Sequence, residues 1–258
     1  MDFYPKTEHI RVSFPNPITG RDRGAHITEN KMKQFFRLFS VALLIAFLAS
    51  IGATHPTTTY AASHTQPRLV DTLSATFLSR GGQDGYITES TLTSGAGGSV
   101  DERSGYLRVG DYRMNRQLKG VISFDTSSLP DNAVITSAHI ELHYLGVMGK
   151  NPFTWAGNLK LDIASPFGES ILLDREDFNA PALAYDVATC GSVAVLKQYS
   201  CDLTTGFDSF DLAGVTQFRI YFDLADNGNN KPDNVKLESG NHKLVSTRPM
   251  LVVEYYIP

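Results

Sequence analysis

From about residue 70 to the C-terminus, apolar and polar residues alternate in short runs. The clearest are QLKGVISFD (117–125), VITSAHIELHYLG (134–146), LKLDIA (159–164), TQFRIYFD (216–223) and MLVVEYY (250–256). In TQFRIYFD, Phe218, Ile220 and Phe222 share one face, and Gln217, Arg219, Tyr221 and Asp223 share the other. A period of two predicts a half-buried strand and not a helix. Clusters of Gly, Asn, Asp, Ser and Pro, such as RGGQDG, SSLPDN and ADNGNNKPDN, separate the runs. Short strands divided in this way predict an all-β fold, an antiparallel, jelly-roll-like β-sandwich over 68–258. One helical turn is expected near LLDREDFNA, capped by Asp174. No repeat of fixed period is present, which disfavours solenoids and propellers.

The N-terminal part follows a different pattern. From Met32 the chain has a basic start at Lys33 and Arg37, an apolar run of 16 residues from 38 to 53, and a polar stretch ending in small residues. That layout predicts a secretory signal over 32–61, cleaved near Ala61, because the run is shorter than the roughly 20 residues a membrane-spanning helix needs. No stable membrane span is expected after cleavage. Residues 1–31 form an unusual preface to a signal. Translation from Met32 accounts for them, and the rival is a cytoplasmic tail before a signal anchor. A short polar linker, 62–67, would precede the sandwich.

Export changes the charge balance. Residues 62–258 hold 16 basic and 23 acidic side chains, without a basic stripe, so a nucleic-acid partner is not expected. Cys190 and Cys201 are the two cysteines, and in an oxidising compartment they are expected to pair, a bond contributing about 3 kcal/mol by loop closure. A free pair at a metal or redox site is the rival reading, with no Cys-x-x-Cys to support it.

Several motifs together carry a resemblance: LRVG at 107–110, the basic stretch 113–119, Phe124-Asp125, Leu129-Pro130, ITSA at 135–138 and Arg248-Pro249. In this order they resemble the DNRLRE-type domain of secreted bacterial and archaeal proteins, a group classed among carbohydrate-binding modules. The namesake six-letter string is absent, and the middle, 147–215, matches least. The resemblance implies a β-sandwich, export and polysaccharide binding, with some relatives linked to acidic sugars.

Three constellations suggest chemistry. His139, Glu141 and His143 occupy alternate positions of one run. On a strand the outer two lie about 13 Å apart, so the trio is expected to be a solvent-facing row and not a metal site. The loop FDLADNGNNKPDN gathers Asp223, Asp226, Asn227, Asn229, Asn230 and Asp233, hard oxygen donors of the kind calcium requires. A turn cluster without metal is the competing reading.

Sugar binding asks for aromatic faces beside planar polar groups. Tyr112, Arg113 and Arg116 lie in one loop, Trp155 lies in another, and Arg219 and Tyr221 lie on the polar face of a strand; these are the candidate ligand contacts. The plain alternative has Trp155 plugging one end of the sandwich and the arginines pairing with carboxylates. No carboxylate pair or nucleophile elbow stands out, so catalysis is not expected. The expected function is a secreted, non-catalytic module for polysaccharide or cell-envelope glycan. A structural or adhesive surface protein is the alternative, and a glycan hydrolase or lyase is a third class.

Overall fold

The computed structural model describes residues 71–258; the expected leader and linker lie outside them. Twelve strands follow in order: β1 (Leu73–Leu78), β2 (Gly85–Glu89), β3 (Gly97–Asp101), β4 (Tyr106–Asp111), β5 (Gln117–Asp125), β6 (Val134–Met148), β7 (Leu159–Ala164), β8 (Ala188–Cys190), β9 (Gln198–Leu203), β10 (Val215–Phe222), β11 (Asp233–Glu238) and β12 (Met250–Tyr256). The five alternating runs are β5, β6, β7, β10 and β12, and for β5, β7 and β12 the ends coincide with those read from the alternation. Among the described residues the helical structure is limited to single 3-10 turns. One, Glu176–Phe178, stands where a capped turn was expected: Asp174 Oδ1 accepts from the main-chain N–H of Glu176 (2.9 Å) and of Asp177 (3.3 Å).

All pairings are antiparallel, and the sheet folds over on itself into a sandwich. One layer runs β8-β9-β6-β12-β1 and the other β6-β11-β4-β5-β10-β7, with β2 also on β5 and β3 on β2. The long β6 belongs to both layers. Its first half pairs with β12 and β9 and its second half with β11, and the register slips between Tyr144 and Gly146. Gly146 takes φ +148° at that slip, a backbone state that only glycine enters cheaply, so the strand bends there.

Between the layers lies the main core. Ala138, Ile140 and Leu142 of β6, with Leu251 and Val253 of β12, face Ile122 and Phe124 of β5 and Phe218, Ile220 and Phe222 of β10. Each large apolar side chain buried this way contributes about 1.5–3 kcal/mol. The Cys190–Cys201 disulfide joins residues directly opposite each other on β8 and β9.

The half-buried strand expected at β10 is corrected by the structure, because both its faces are covered. Gln217 and Arg219 are as buried as Phe218 and Ile220. The segment 165–182 leaves β7 and runs back over the outer face, where Phe167, Leu173 and Phe178 pack on Ile87, Val121 and Ala164 as a second small core. Polar side chains of the sheet reach up to hold its backbone. Gln217 donates to the Ile171 carbonyl (3.0 Å) and accepts from the Phe167 N–H (2.9 Å), and Lys119 Nζ donates to the Phe178 carbonyl (3.0 Å).

Candidate functional site

Where β2, β3 and β4 meet the loop 173–176, the surface opens into a cleft of about 840 Å³. Tyr86 of β2, Arg108 of β4 and Tyr112, just past β4, stand in its wall with Asp101 and Arg103 of the β3 end and Arg175 of the loop. The ring of Tyr86 lies against that of Tyr106 with centroids 6.3 Å apart and planes inclined by 19°. The guanidinium of Arg108 sits 5.9 Å from the first ring and 5.4 Å from the second. Its Nη2 donates to Tyr106 Oη (3.5 Å), and its Nε is buried without an acceptor. From β11, Lys236 Nζ approaches the Tyr106 ring to 5.1 Å.

Hydrogen bonds set the protonation states here. Asp101 accepts from Tyr86 Oη (3.0 Å), Ser104 Oγ (2.7 Å) and the N–H groups of Ser104 (3.0 Å) and Arg103 (3.2 Å). Burial alone would raise its pKa, but these donors together hold it below the ordinary carboxylate range. Burial, and then the charge and hydrogen bond of Asp101, push the Tyr86 phenol well up, so it remains a neutral donor. Tyr106 is drawn down, chiefly by Ser104 and also by Arg108. The arrangement offers aromatic surface, a part-exposed planar cation and charges of both signs. It suits a polar ligand with a flat face.

The sequence candidates divide between this cleft and other places. Tyr112 is in its wall, and Arg116 lies over the Tyr112 ring at 5.4 Å while its Nε donates to the Arg113 carbonyl (3.3 Å). Arg113 opens the 3-10 turn Arg113–Asn115 and is exposed. Trp155 is not in the cleft wall; it is half-buried against the main core, with its indole N–H unpartnered. One candidate, Arg219, is corrected, and Tyr221 lies outside the cleft wall. Arg219 is 3% exposed, bonds Asp162 Oδ2 through Nη2 (2.7 Å) and Nε (3.3 Å), and donates to the carbonyls of Asp177 (3.0 Å) and Ala180 (2.8 Å). Tyr221 donates to Asp162 Oδ1 (2.9 Å). Arg219 is thereby committed beneath the 165–182 segment and cannot meet a surface ligand, whereas Tyr221 stays half-buried with its hydroxyl held by Asp162. Sequence reasoning missed Tyr86 and Arg108 of the cleft wall and Tyr106, which stacks on Tyr86; the faint signal was that Tyr106 and Arg108 are two apart on a strand and so share a face.

The acidic loop also divides. Asp223 pairs with Lys160 (2.9 Å) and accepts from the Asn158 N–H (2.8 Å), away from its supposed partners. Within the loop, Asp233 accepts from the amides of Asn227 and Asn229 (both 2.6 Å) and from the Lys150 N–H (2.6 Å). Asn230 donates its N–H to Asn115 Oδ1 (2.6 Å). Opposite Asp233 on β4 stands Asp111, which burial pushes up to about 7, the charges of Asp226 and Asp233 adding to the effect. Among the described residues no three His, Cys, Asp or Glu side chains gather around one metal position.

The trio of β6 separates too. His139 Nε2 is 3.7 Å from Glu141, whereas His143 turns to Glu238 (3.5 Å), which His242 also approaches (2.8 Å). None of this makes a three-point site along the strand.

Fold and cleft together define an antiparallel β-sandwich with an aromatic and arginine-bearing surface cleft. No model of a known protein family matches the chain, and no curated protein matches it.

Proposed function

We propose that this protein is a secreted, non-catalytic carbohydrate-binding sandwich of the DNRLRE type that holds a polysaccharide, preferably an acidic one, in the cleft between β2, β4 and the 173–176 loop. The observation that carries the reading is the part-exposed Arg108 in the cleft wall, set against the rings of Tyr86 and Tyr106. Sugar rings present C–H faces that pack on aromatic rings, and guanidinium groups bond carboxylates and paired hydroxyls in one plane. The disulfide is compatible with the oxidising compartment that secretion implies.

Affinity electrophoresis of the full chain in gels containing neutral or uronate polysaccharides tests this reading. Arg108→Ala is expected to weaken retention about tenfold to a hundredfold, the equivalent of one charge-assisted hydrogen bond. Undiminished retention of that variant, or no retention of the parent protein on any glycan, refutes the proposal. Release of shortened or unsaturated sugar would move the protein to the hydrolase or lyase class.

A structural or adhesive role is the second reading. It draws on the loop inside the disulfide, where Val193, Val195 and Leu196 are 74%, 71% and 92% exposed. Self-assembly in light scattering, without glycan binding, is the outcome that role requires.

A further inference from the structure

Asp111, at the end of β4, is fully buried, and neither of its carboxylate oxygens completes a hydrogen bond. The main-chain N–H groups of Tyr112 and Asn227 face it without completing a bond. Its nearest charges are carboxylates as well: Asp233, directly opposite on β11, and Asp226 of the adjoining loop. Among the described residues none of the three enters an ion pair. Beside them Asn234, also fully buried, ties its Nδ2 to the Asp111 carbonyl (3.0 Å) and leaves its Oδ1 unpartnered.

Buried carboxylates in proteins are hydrogen-bonded, paired with a cation or bound to a metal, because an isolated one loses its hydration without replacement. Here the protein supplies neither a completed donor set nor a cation, and the unsatisfied atoms are all oxygens. We propose that Asp111 is the anchoring ligand of a calcium site, completed by Asn234 Oδ1, water and Asp226 Oδ2, Asp226 Oδ1 being taken by the Gly228 N–H (2.9 Å). Calcium accepts six to eight oxygens in irregular geometry, which an Asn- and Asp-rich loop can offer; magnesium demands a near-ideal octahedron. Asp233 is left out of the inner set because amide donors already occupy its oxygens. The position differs from a site centred on the loop alone, since the anchoring group comes from β4. The ion would join the β4 end, which leads into Tyr112, to the 226–234 loop.

The test uses the full chain, stripped with chelator and titrated with calcium chloride by calorimetry and by thermal melting. One calcium per chain and a raised melting temperature are expected, with affinity lowered at least tenfold in Asp111→Asn and within twofold of the parent in Asp223→Asn. Without calcium, Asp111→Asn is expected to melt at or above the parent, because it removes an uncompensated buried charge. The proposal is overturned by a parent protein that shows neither heat nor a melting shift with calcium, or by Asp111→Asn binding as the parent does. A metal-free Asp111→Asn protein melting well below the metal-free parent overturns it as well, since the carboxylate would then be held by the protein itself.

Discussion

Removing the guanidinium of Arg219 is expected to be among the most destabilising single changes in this chain. The side chain makes four hydrogen bonds, two to Asp162 Oδ2 and one each to the carbonyls of Asp177 and Ala180, and lies 4.6 Å from the Phe167 ring centroid. Arg219→Ala leaves Asp162, 1% exposed, with an uncompensated charge, and it frees two carbonyls of the covering segment. Breaking a buried pair from one side costs about 3–5 kcal/mol, and each orphaned carbonyl adds about 1 kcal/mol or more where water does not reach it. A total near 5 kcal/mol corresponds to a fall of roughly 10–20 °C in melting temperature for a domain of this size. The double variant Arg219→Met, Asp162→Asn is expected to recover more than half of that loss, because the neutral pair leaves no bare charge in the interior. Urea unfolding of the parent, Arg219→Ala, Arg219→Met, Asp162→Asn and the double variant measures the coupling directly. A loss under 1 kcal/mol in Arg219→Ala, or a double variant no better than the single, would refute the idea that this pair anchors the 165–182 segment.

Stability is also expected to depend on pH in the weakly acidic range. Burial raises Asp84 to about 7 despite the N–H groups of Ser123 and Gly240 that it accepts from, and raises Asp177 to about 6. Between pH 4 and 7 the folded chain then holds protons that the unfolded chain has released. Stability should fall by a few kcal/mol as pH rises through that window and level off above it. Asp101, Asp125 and Asp223, held low in the fold, act in the opposite sense and remove stability as pH drops below about 4. Urea midpoints at pH 4.5, 6 and 8 report the trend, and Asp84→Asn should flatten part of it; a midpoint that climbs steadily from 4.5 to 8 contradicts it. Replacing Cys190 and Cys201 together by Ala is expected to cost about 3 kcal/mol by loop entropy. Because the two residues already face each other on β8 and β9, the loss should leave the far-ultraviolet spectrum unchanged; a loss of strand signal would show that the bond holds the hairpin itself.

Much of the architecture was legible because its signal is local. Alternation along β5, β7 and β12 gives their ends, and Asp174 three residues before Asp177 gives the capped turn. The covering segment escaped detection because nothing local announces it. Phe167, Leu173 and Phe178 have neither strand nor helix spacing, and they become a core only when laid on Ile87 and Val121 from β2 and β5. The cleft escaped for a similar reason: Tyr86, Arg108 and Tyr112 come from separate stretches, and only Tyr112 stood in a loop that invited attention.

The polar rows of β6 and β10 show where alternation stops being informative. His139 and Glu141 alternate with buried residues and stay part-exposed, as a solvent-facing row should. Gln217 and Arg219 show the same period and are buried. What separates the two rows is the pairing across to the neighbouring strand together with the segment laid over it. In register, Arg219 stands directly opposite Asp162 of β7, so the most charged position of one strand meets its counter-ion on the next. His139 lies between Val252 of β12 and Asp202 of β9, and its closest carboxylate is Glu141 of its own strand, at 3.7 Å. Covering a charged side chain costs least where its partner is already in place. Complementary charges at matched positions of two predicted strands, LKLDIA and TQFRIYF here, therefore mark a polar face prepared for burial. On β6 a carboxylate, Asp202, also stands opposite His139, yet the row stays part-exposed; matched charge leads to burial where a covering segment such as 165–182 lies over it.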